Sequence, residues 1–120
     1  MMVKYLLDEN VDLGYRTQLL RHAPTLVAWA VNDPGAPAKE TLDPAILCWC
    51  EDHDFILVTH NRSSMPGHLA DHLTAGRHVP GIFVLSPELS MGATIAELVL
   101  IASASFADEY QDRISYLPLT

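Results

Sequence analysis

Polar side chains that could bind a metal ion or a phosphate follow several apolar segments of this 120-residue sequence. They come after MVKYLL near the start, at the head of DPAILCWCEDHD, and after FILVT in the middle of the chain. The residues concerned are Asp8, Glu9, Asp43, Thr59, Asn61, Arg62 and Ser63. Carboxylates and neutral oxygens are the ligands that Mg²⁺ and Mn²⁺ prefer, and a guanidinium binds phosphate oxygens. If the fold brings them together, these residue types predict a site for a divalent cation or a phosphate.

Each of these residues also has an ordinary structural explanation. Asp8 can accept a hydrogen bond from a following amide in a turn. Asp43 precedes Pro44, as is typical of a helix start, and would then serve as the N-cap. Asn61 suits a turn, and Arg62 suits a solvated surface. A capping carboxylate keeps one oxygen free, so a capping role and a metal-binding role can coexist.

Strand and helix patterns alternate along the chain. The predicted strands are Met2–Leu7, 25–31, Phe55–Thr59, Gly81–Leu85 and 114–119, and the predicted helices are 12–23, 43–54, 66–75 and a long helix from Ser90. Unbroken apolar strands are typical of a parallel sheet that is covered on both faces. The alternation predicts a three-layer α/β fold, with a mainly parallel central sheet, helices on both faces and the N-terminal strand near the centre. Pro118 predicts that the last strand lies at an edge.

This topology predicts where the candidate residues meet. The carboxyl ends of parallel strands lie at one edge of the sheet, and ligands bind there at the switch in strand order. The spacing of apolar residues also predicts which helix faces align. Leu13, Thr17 and Leu20 share a face of the first helix, which Asp12 would cap, and the last helix carries a stripe of Ile95, Leu98, Val99, Ala102 and Phe106.

The composition limits the classes of function. The length suggests one domain over 1–120, and 49% of the residues are hydrophobic, which is enough for a core. No run approaches the roughly 18 apolar residues that would span a membrane, and the apolar N-terminus is too short for a signal peptide, so a cytoplasmic protein is expected. In that compartment Cys48 and Cys50 would remain reduced thiols, buried or half-buried. The net charge of −8 argues against a protein that coats nucleic acid, but allows a nuclease whose metal supplies positive charge.

The histidines suggest a rival chemistry. His68 and His72 are four residues apart on a predicted helix, and Asp71 precedes the second. This spacing superficially resembles the H-x-x-E-H pattern of some zinc proteases. The acid is aspartate rather than glutamate, no third ligand is evident and the helix is short. We therefore expect that the two histidines do not form a zinc site, and a zinc hydrolase is the least favoured hypothesis.

Three patches resemble the small PIN-like proteins. They are LLDENV at the start, Asp43 ahead of AILCWC, and ILVTHNR after a buried strand. PIN nucleases hold Mg²⁺ or Mn²⁺ with acidic residues at strand ends and cut RNA. By this resemblance, Asp8 takes the place of the first metal-binding aspartate and Asp43 that of the second acidic residue. Asn61 stands where the family more often has Thr-x-Asp, and Ser63 stands where a further aspartate is common.

The resemblance implies a metal-dependent ribonuclease that keeps two strong carboxylates, or three with Glu9. The expected catalytic and metal-binding residues are Asp8, Asp43 and Asn61, with Glu9 as a further ligand, and the expected substrate-binding residues are Thr59, Arg62 and Ser63. The neutral replacements imply that Mg²⁺ or Mn²⁺ is held weakly. An alternative is a non-catalytic binding module of the toxin–antitoxin type, which would bind a small protein partner or form a homodimer.

Overall fold

The computed structural model describes residues 3–105 and 108–119. In the described part the chain forms five strands and four helices in alternation. The strands are β1 (Lys4–Leu7), β2 (Val27–Ala30), β3 (Ile56–Thr59), β4 (Ile82–Val84) and β5 (Ile114–Tyr116). The helices are α1 (Gly14–His22), α2 (Asp43–His53), α3 (Met65–Thr74) and α4 (Met91–Ala104).

The strands form one sheet in the order β2-β1-β3-β4-β5, and all four pairings are parallel. The predicted parallel sheet with an interior N-terminal strand is therefore confirmed. The last strand lies at an edge, as Pro118 predicted, and the proline itself follows the strand. β3 and β4 are buried throughout, because helices cover both of their faces.

The helices cover the sheet in two pairs. α1 contacts α4 on one face, and α2 contacts α3 on the other. Side chains that alternate along a strand enter different cores: Leu7 and Val58 face the α1–α4 side, whereas Leu6 and Leu57 face the α2–α3 side. The molecule thus has the predicted three layers. None of the helices in the described part is long and apolar enough to cross a membrane.

The predicted apolar stripe of α4 packs against the core, whereas the predicted stripe of α1 does not. In α4, Ser90 caps the helix by accepting a hydrogen bond from the amide of Ala93, and Ile95 and Leu98 are buried. Val99 and Ala102 are partly buried against the same core, while Phe106 lies outside the described residues.

In α1 the aligned residues lie on the outer face of the helix. Leu13 is 54% exposed and Leu20 is 36% exposed, whereas Leu19 is fully buried. Tyr15 and Leu19, four residues apart, form the face that packs against the core. Asp12 accepts a hydrogen bond from the amide of Gly14 at 2.7 Å, just before the first turn.

Both cysteines are free thiols. Cys48 is half-buried and Cys50 is buried, as predicted. Burial raises the pKa of the Cys50 thiol, and the nearby negative charge of Asp8 raises it further. Cys50 is therefore a neutral core residue at physiological pH.

Candidate functional site

An acidic cleft, defined by its lining residues, lies at the carboxyl ends of β1 and β3. These two strands flank the point where the strand order reverses, since the chain passes from β1 to β2 on one side and on to β3 on the other. The lining residues are Asp8, Glu9, Asn10, Glu40, Thr41, Leu42, Asp43 and Asn61. Four of the predicted site residues therefore line one cleft, although they are distant in sequence.

Asp8 is positioned by hydrogen bonds from two elements. It follows β1 directly, is 8% exposed, and its Oδ1 accepts a hydrogen bond from the amide of Glu9 at 2.8 Å. Its Oδ2 accepts a hydrogen bond from the hydroxyl of Thr59, at the end of β3, at 2.7 Å. The backbone continues the pairing, because the amide of Asp8 donates to the carbonyl of Val58 at 2.9 Å. Two neighbouring strand ends thus fix the orientation of this carboxylate.

Thr59 is the link between Asp8 and Asn61. Its hydroxyl donates to Asp8 and accepts a hydrogen bond from the amide of Asn61 at 3.1 Å. Thr59 is only 1% exposed, and its side chain therefore lies beneath the cleft. The residue positions its neighbours and offers almost no surface to a substrate.

Asp43 faces Asn61 across the cleft. α2 begins at Asp43, whose side chain makes no capping bond, so the expected N-cap role is wrong. Instead Oδ2 of Asp43 accepts a hydrogen bond from Nδ2 of Asn61 at 3.0 Å. The same amide nitrogen donates to the hydroxyl of Ser64 at 2.7 Å, while Oδ1 of Asn61 accepts from the amide of Ser64 at 3.1 Å. Asn61 therefore turns its nitrogen to Asp43 and uses its oxygen to hold the start of α3.

Glu40 is a cleft residue that sequence reasoning missed. Oε1 of Glu9 accepts a hydrogen bond from the amide of Glu40 at 2.5 Å, and this bond brings the loop before α2 over the end of β1. The backbone of Glu40 has a positive φ of 68°. Glutamate seldom adopts a positive φ, so no local sequence motif predicts this conformation. The only signal in the sequence that Glu40 could lie at the cleft is its position in a Pro- and Gly-rich loop just before Asp43.

The charge of the cleft is uniformly negative. The lining includes the acidic residues Asp8, Glu9, Glu40 and Asp43, and none of its residues is lysine or arginine. The cleft has a volume of about 330 Å³, which corresponds to on the order of ten water molecules. It therefore has room for a divalent cation that keeps part of its water shell.

The donors of the cleft fit a hard cation. They are oxygens, and Mg²⁺ commonly binds through one or two carboxylates while it keeps several waters. Within residues 3–105 and 108–119, no three or more His, Cys, Asp or Glu side chains are grouped so as to hold a metal ion. A bound cation would accordingly depend on a pair of carboxylates and water, and weak binding of Mg²⁺ or Mn²⁺ remains a prediction.

Arg62 and Ser63 lie outside the lining of this cleft, although they follow Asn61 directly. Both are exposed. The guanidinium of Arg62 lies over the ring of Tyr116 in β5, with its central carbon 5.5 Å from the ring centroid. Arg62 is therefore directed along the sheet edge, away from Asp8 and Asp43.

The two histidines of the zinc hypothesis contact different carboxylates. Nε2 of His68 is 3.6 Å from Oδ2 of Asp43, at the start of α2. His72 is buried, and its Nε2 lies 3.2 Å from Glu51 near the end of α2 and 3.0 Å from the carbonyl oxygen of His78. That His68 and His72 do not share a zinc ion remains a prediction.

Asp33, which follows β2, takes no part in the cleft lining. Its carboxylate is paired with Arg16 of α1 and accepts a hydrogen bond from the amide of Ala30 at 2.9 Å. Burial acts to raise the pKa of Asp33, but the hydrogen bonds from Arg16 and Ala30 and the charge of Arg16 together lower it. The pair joins β2 to α1 and is structural.

Compared with known proteins, the chain matches no family model, no curated protein and no solved structure. The resemblance of its three patches to the PIN-like proteins therefore remains a prediction.

Proposed function

We propose that this protein is a metal-dependent ribonuclease-like enzyme that hydrolyses phosphodiesters at the acidic cleft. The observation that carries the proposal is a cleft at the strand ends that is lined by four acidic residues, Asp8 and Asp43 among them, without a lysine or arginine in its lining. Such a cleft repels a polyanion such as RNA by itself. A divalent cation reverses that repulsion, so the cation and the substrate belong to the same hypothesis.

Asp8 and Asp43 would hold Mg²⁺ or Mn²⁺, and Glu9 has a second carboxylate oxygen with which to assist. When bound, the cation would activate a water molecule and stabilise the charge that develops on the phosphate. Thr59 keeps the Asp8 carboxylate in place through its hydrogen bond. Asn61 neutralises part of the charge of Asp43 by donating a hydrogen bond to it. This contact lowers the attraction of Asp43 for a cation, which supports the expectation of slow cleavage that requires Mn²⁺ or high Mg²⁺.

The decisive experiment is cleavage of labelled single-stranded RNA by the purified protein with Mn²⁺, with Mg²⁺ and with EDTA. Cleavage should require the cation and should be abolished in Asp8→Ala. Asp71→Asn is the matched control, because Asp71 is an exposed acid of α3 outside the cleft lining, and it should cleave as the wild type does. A folded wild type and Asn61→Asp variant that are both inert on varied RNA and DNA would refute the proposal.

The second candidate is a binding module without catalysis. It is favoured by an apolar outer surface on α1 and α4, where Leu13, Leu20 and Leu100 are exposed. In α1 no residue is acidic, and in α4 only Glu97 is, although the whole chain carries 15 acidic residues. A small protein partner or a second copy would cover this surface. Sedimentation velocity of wild type and Leu100→Asp tests the second copy: a dimer that dissociates in the variant favours this candidate.

A further inference from the structure

Arg62 and Tyr116 form an exposed pair at the carboxyl edge of the sheet. Tyr116 is 45% exposed on the edge strand β5, and the guanidinium of Arg62 lies over its ring at 5.5 Å from the centroid. A guanidinium above an aromatic ring is attracted by the negative face of the ring. The contact places a positive charge and an aromatic ring side by side on the surface.

The register of the sheet places Tyr116 beside the acidic cleft. Thr59 of β3 is paired with Val84 of β4, and Val84 is paired with Tyr116 of β5. Residues in register across parallel strands point to the same face of the sheet. Val84 belongs to the core on the α2–α3 side, so Tyr116 is on the same side of the sheet as α2, the helix that begins at Asp43. Two strand spacings separate Thr59 from Tyr116, which amounts to about 10 Å. That distance spans roughly three stacked nucleotides.

The charge of Arg62 is available to a ligand. Among the described residues, Arg16 and Arg77 form ion pairs with carboxylates, whereas no carboxylate lies within ion-pair distance of Arg62. Arg21 and Arg113 also lack a carboxylate at that distance among the described residues, but Arg62 is set apart because it directly follows Asn61 of the cleft lining. Its neighbour in space is an aromatic ring, and this combination suits a nucleotide, whose phosphate binds a guanidinium and whose base stacks on a ring.

We infer that Arg62 and Tyr116 form a nucleotide subsite for a single-stranded nucleic acid whose phosphodiester is bound at the acidic cleft. This inference rests on the proposed function. A base stacks on the ring of Tyr116, and Arg62 binds the adjacent phosphate, which compensates for the negative cleft next to it. A duplex cannot bind in this way, because its bases are already stacked and paired, so the subsite selects single strands.

Binding of a short fluorescein-labelled oligouridylate tests the inference, with fluorescence anisotropy as the readout and with Ca²⁺ in place of Mg²⁺ or Mn²⁺, so that a divalent cation is available to the oxygens of the cleft. The intact length of the oligonucleotide is verified on a gel after each titration. Tyr116→Ala should bind on the order of tenfold more weakly, since stacking is lost, whereas Tyr116→Phe should retain the wild-type affinity. An abasic oligonucleotide of the same length should bind Tyr116→Ala and wild type equally. Leu73→Ala, an exposed change near the end of α3, is the matched control and should have no effect.

The salt dependence of binding tests the role of Arg62 separately. Arg62→Ala removes one phosphate contact, so the slope of log K against log salt should become shallower by about 0.7. Arg62→Lys should keep the slope. Unchanged affinity in Tyr116→Ala, an unchanged slope in Arg62→Ala, or absence of oligouridylate binding by the wild type would each overturn the inference.

RNA cleavage by the same variants separates the inference from the proposed function. Cleavage by the wild type without any dependence of binding on Tyr116 would remove the subsite and leave the nuclease. Binding that depends on Tyr116 without cleavage under any cation would remove the nuclease and leave the subsite. Weaker binding together with slower cleavage in Tyr116→Ala supports both.

Discussion

Thr59 shows how one buried hydroxyl organises the candidate site. It donates to Asp8 and accepts from the amide of Asn61, and both contacts are lost in Thr59→Val, which keeps the shape of the side chain. We expect this variant to be less stable by about 1 to 3 kcal/mol, since the half-buried amide of Asn61 and the buried carboxylate of Asp8 each lose a partner. Urea denaturation measures the loss. Thr17→Val is the control, because Thr17 is exposed on α1, and an equal loss in both variants would contradict the assigned role.

In the proposed metal site, Asn61 would limit the affinity of the cleft for a cation. Asn61→Asp would place a carboxylate oxygen at the position from which Nδ2 now donates to Asp43 at 3.0 Å. Two carboxylates at that distance repel each other, and a divalent cation relieves the repulsion. We therefore expect Asn61→Asp to bind Mn²⁺ at least tenfold more tightly than wild type, as each tenfold corresponds to about 1.4 kcal/mol. Isothermal titration calorimetry checks this, and equal or weaker binding by the variant would place the cation elsewhere.

The residues of the cleft differ in how far the sequence alone could identify them. Asp8, Asp43 and Asn61 were predicted to meet because a parallel sheet brings its strand ends to one edge, and that rule depends only on element order. Glu40 could not be predicted, because its place depends on the backbone of a loop and on one hydrogen bond from Glu9. The direction of Arg62 depends on its contact with Tyr116, which is 54 positions further along the chain.

At the scale of elements, His78, Val79 and Asp112 form a clamp that joins the segments just before β4 and β5. Nδ1 of His78 lies 2.6 Å from Oδ2 of Asp112, and Oδ1 of Asp112 accepts a hydrogen bond from the amide of Val79 at 2.9 Å. The amide of Asp112 also donates to the carbonyl of Val79. This clamp holds the edge strand at the end of the sheet opposite the cleft.

The clamp should make stability depend on pH. The hydrogen bond and the charge of Asp112 raise the pKa of His78 above its ordinary value of 6.5, and the charge of Glu51 adds to this effect. A raised pKa stabilises the fold below pH 6.5, and this stabilisation is lost as the pH rises through the folded-state pKa. Urea midpoints between about pH 6 and pH 9 should therefore fall more in wild type than in His78→Gln.

Asp112→Asn provides the matched test of the clamp. Asp112 has a positive φ of 61°, a conformation that asparagine tolerates, so the backbone is preserved. Burial acts to raise the pKa of Asp112, but the hydrogen bonds from Val79 and His78 lower it overall. The contribution of Asp112 to the free energy of unfolding is therefore lost as the pH falls below the ordinary value of 3.8. Asp112→Asn should remove the same pH dependence as His78→Gln. If the urea midpoint of both variants depended on pH as that of the wild type does, the proposed role of the clamp would be wrong.

The elements themselves were largely predictable, because unbroken apolar strands and α4 with its capping serine follow local rules. The orientation of α1 was not. Leu13, Thr17 and Leu20 align in the sequence as well as a core stripe does, but Tyr15 and Leu19 align equally well. Packing against α4 decides between the two faces, and periodicity alone cannot distinguish them.

At the scale of the whole molecule, charge is distributed unevenly. The chain has 15 acidic and seven basic residues, and four of the acidic residues line one cleft whose lining includes no lysine or arginine. Arg16 and Arg77, two of the arginines, are bound to carboxylates elsewhere. The outer face of α4 is nearly free of charge. A cation and a protein partner would therefore bind at different regions of the molecule and need not compete.

This distribution predicts that Mn²⁺ stabilises the folded protein. A ligand that binds only the native state stabilises it by RT ln(1 + [L]/Kd), which is about 1.4 kcal/mol when Mn²⁺ is tenfold above its Kd. For a chain of this size the melting temperature should rise by roughly 4 to 8 °C. Asp8→Asn should abolish the rise because it removes a carboxylate from the cleft, whereas Asp71→Asn, at an exposed position of α3, should preserve it. Scanning calorimetry with Mn²⁺, and with NaCl at equal ionic strength, separates binding from screening. A rise of equal size with NaCl, or in Asp8→Asn, would mean that the cleft does not bind the cation.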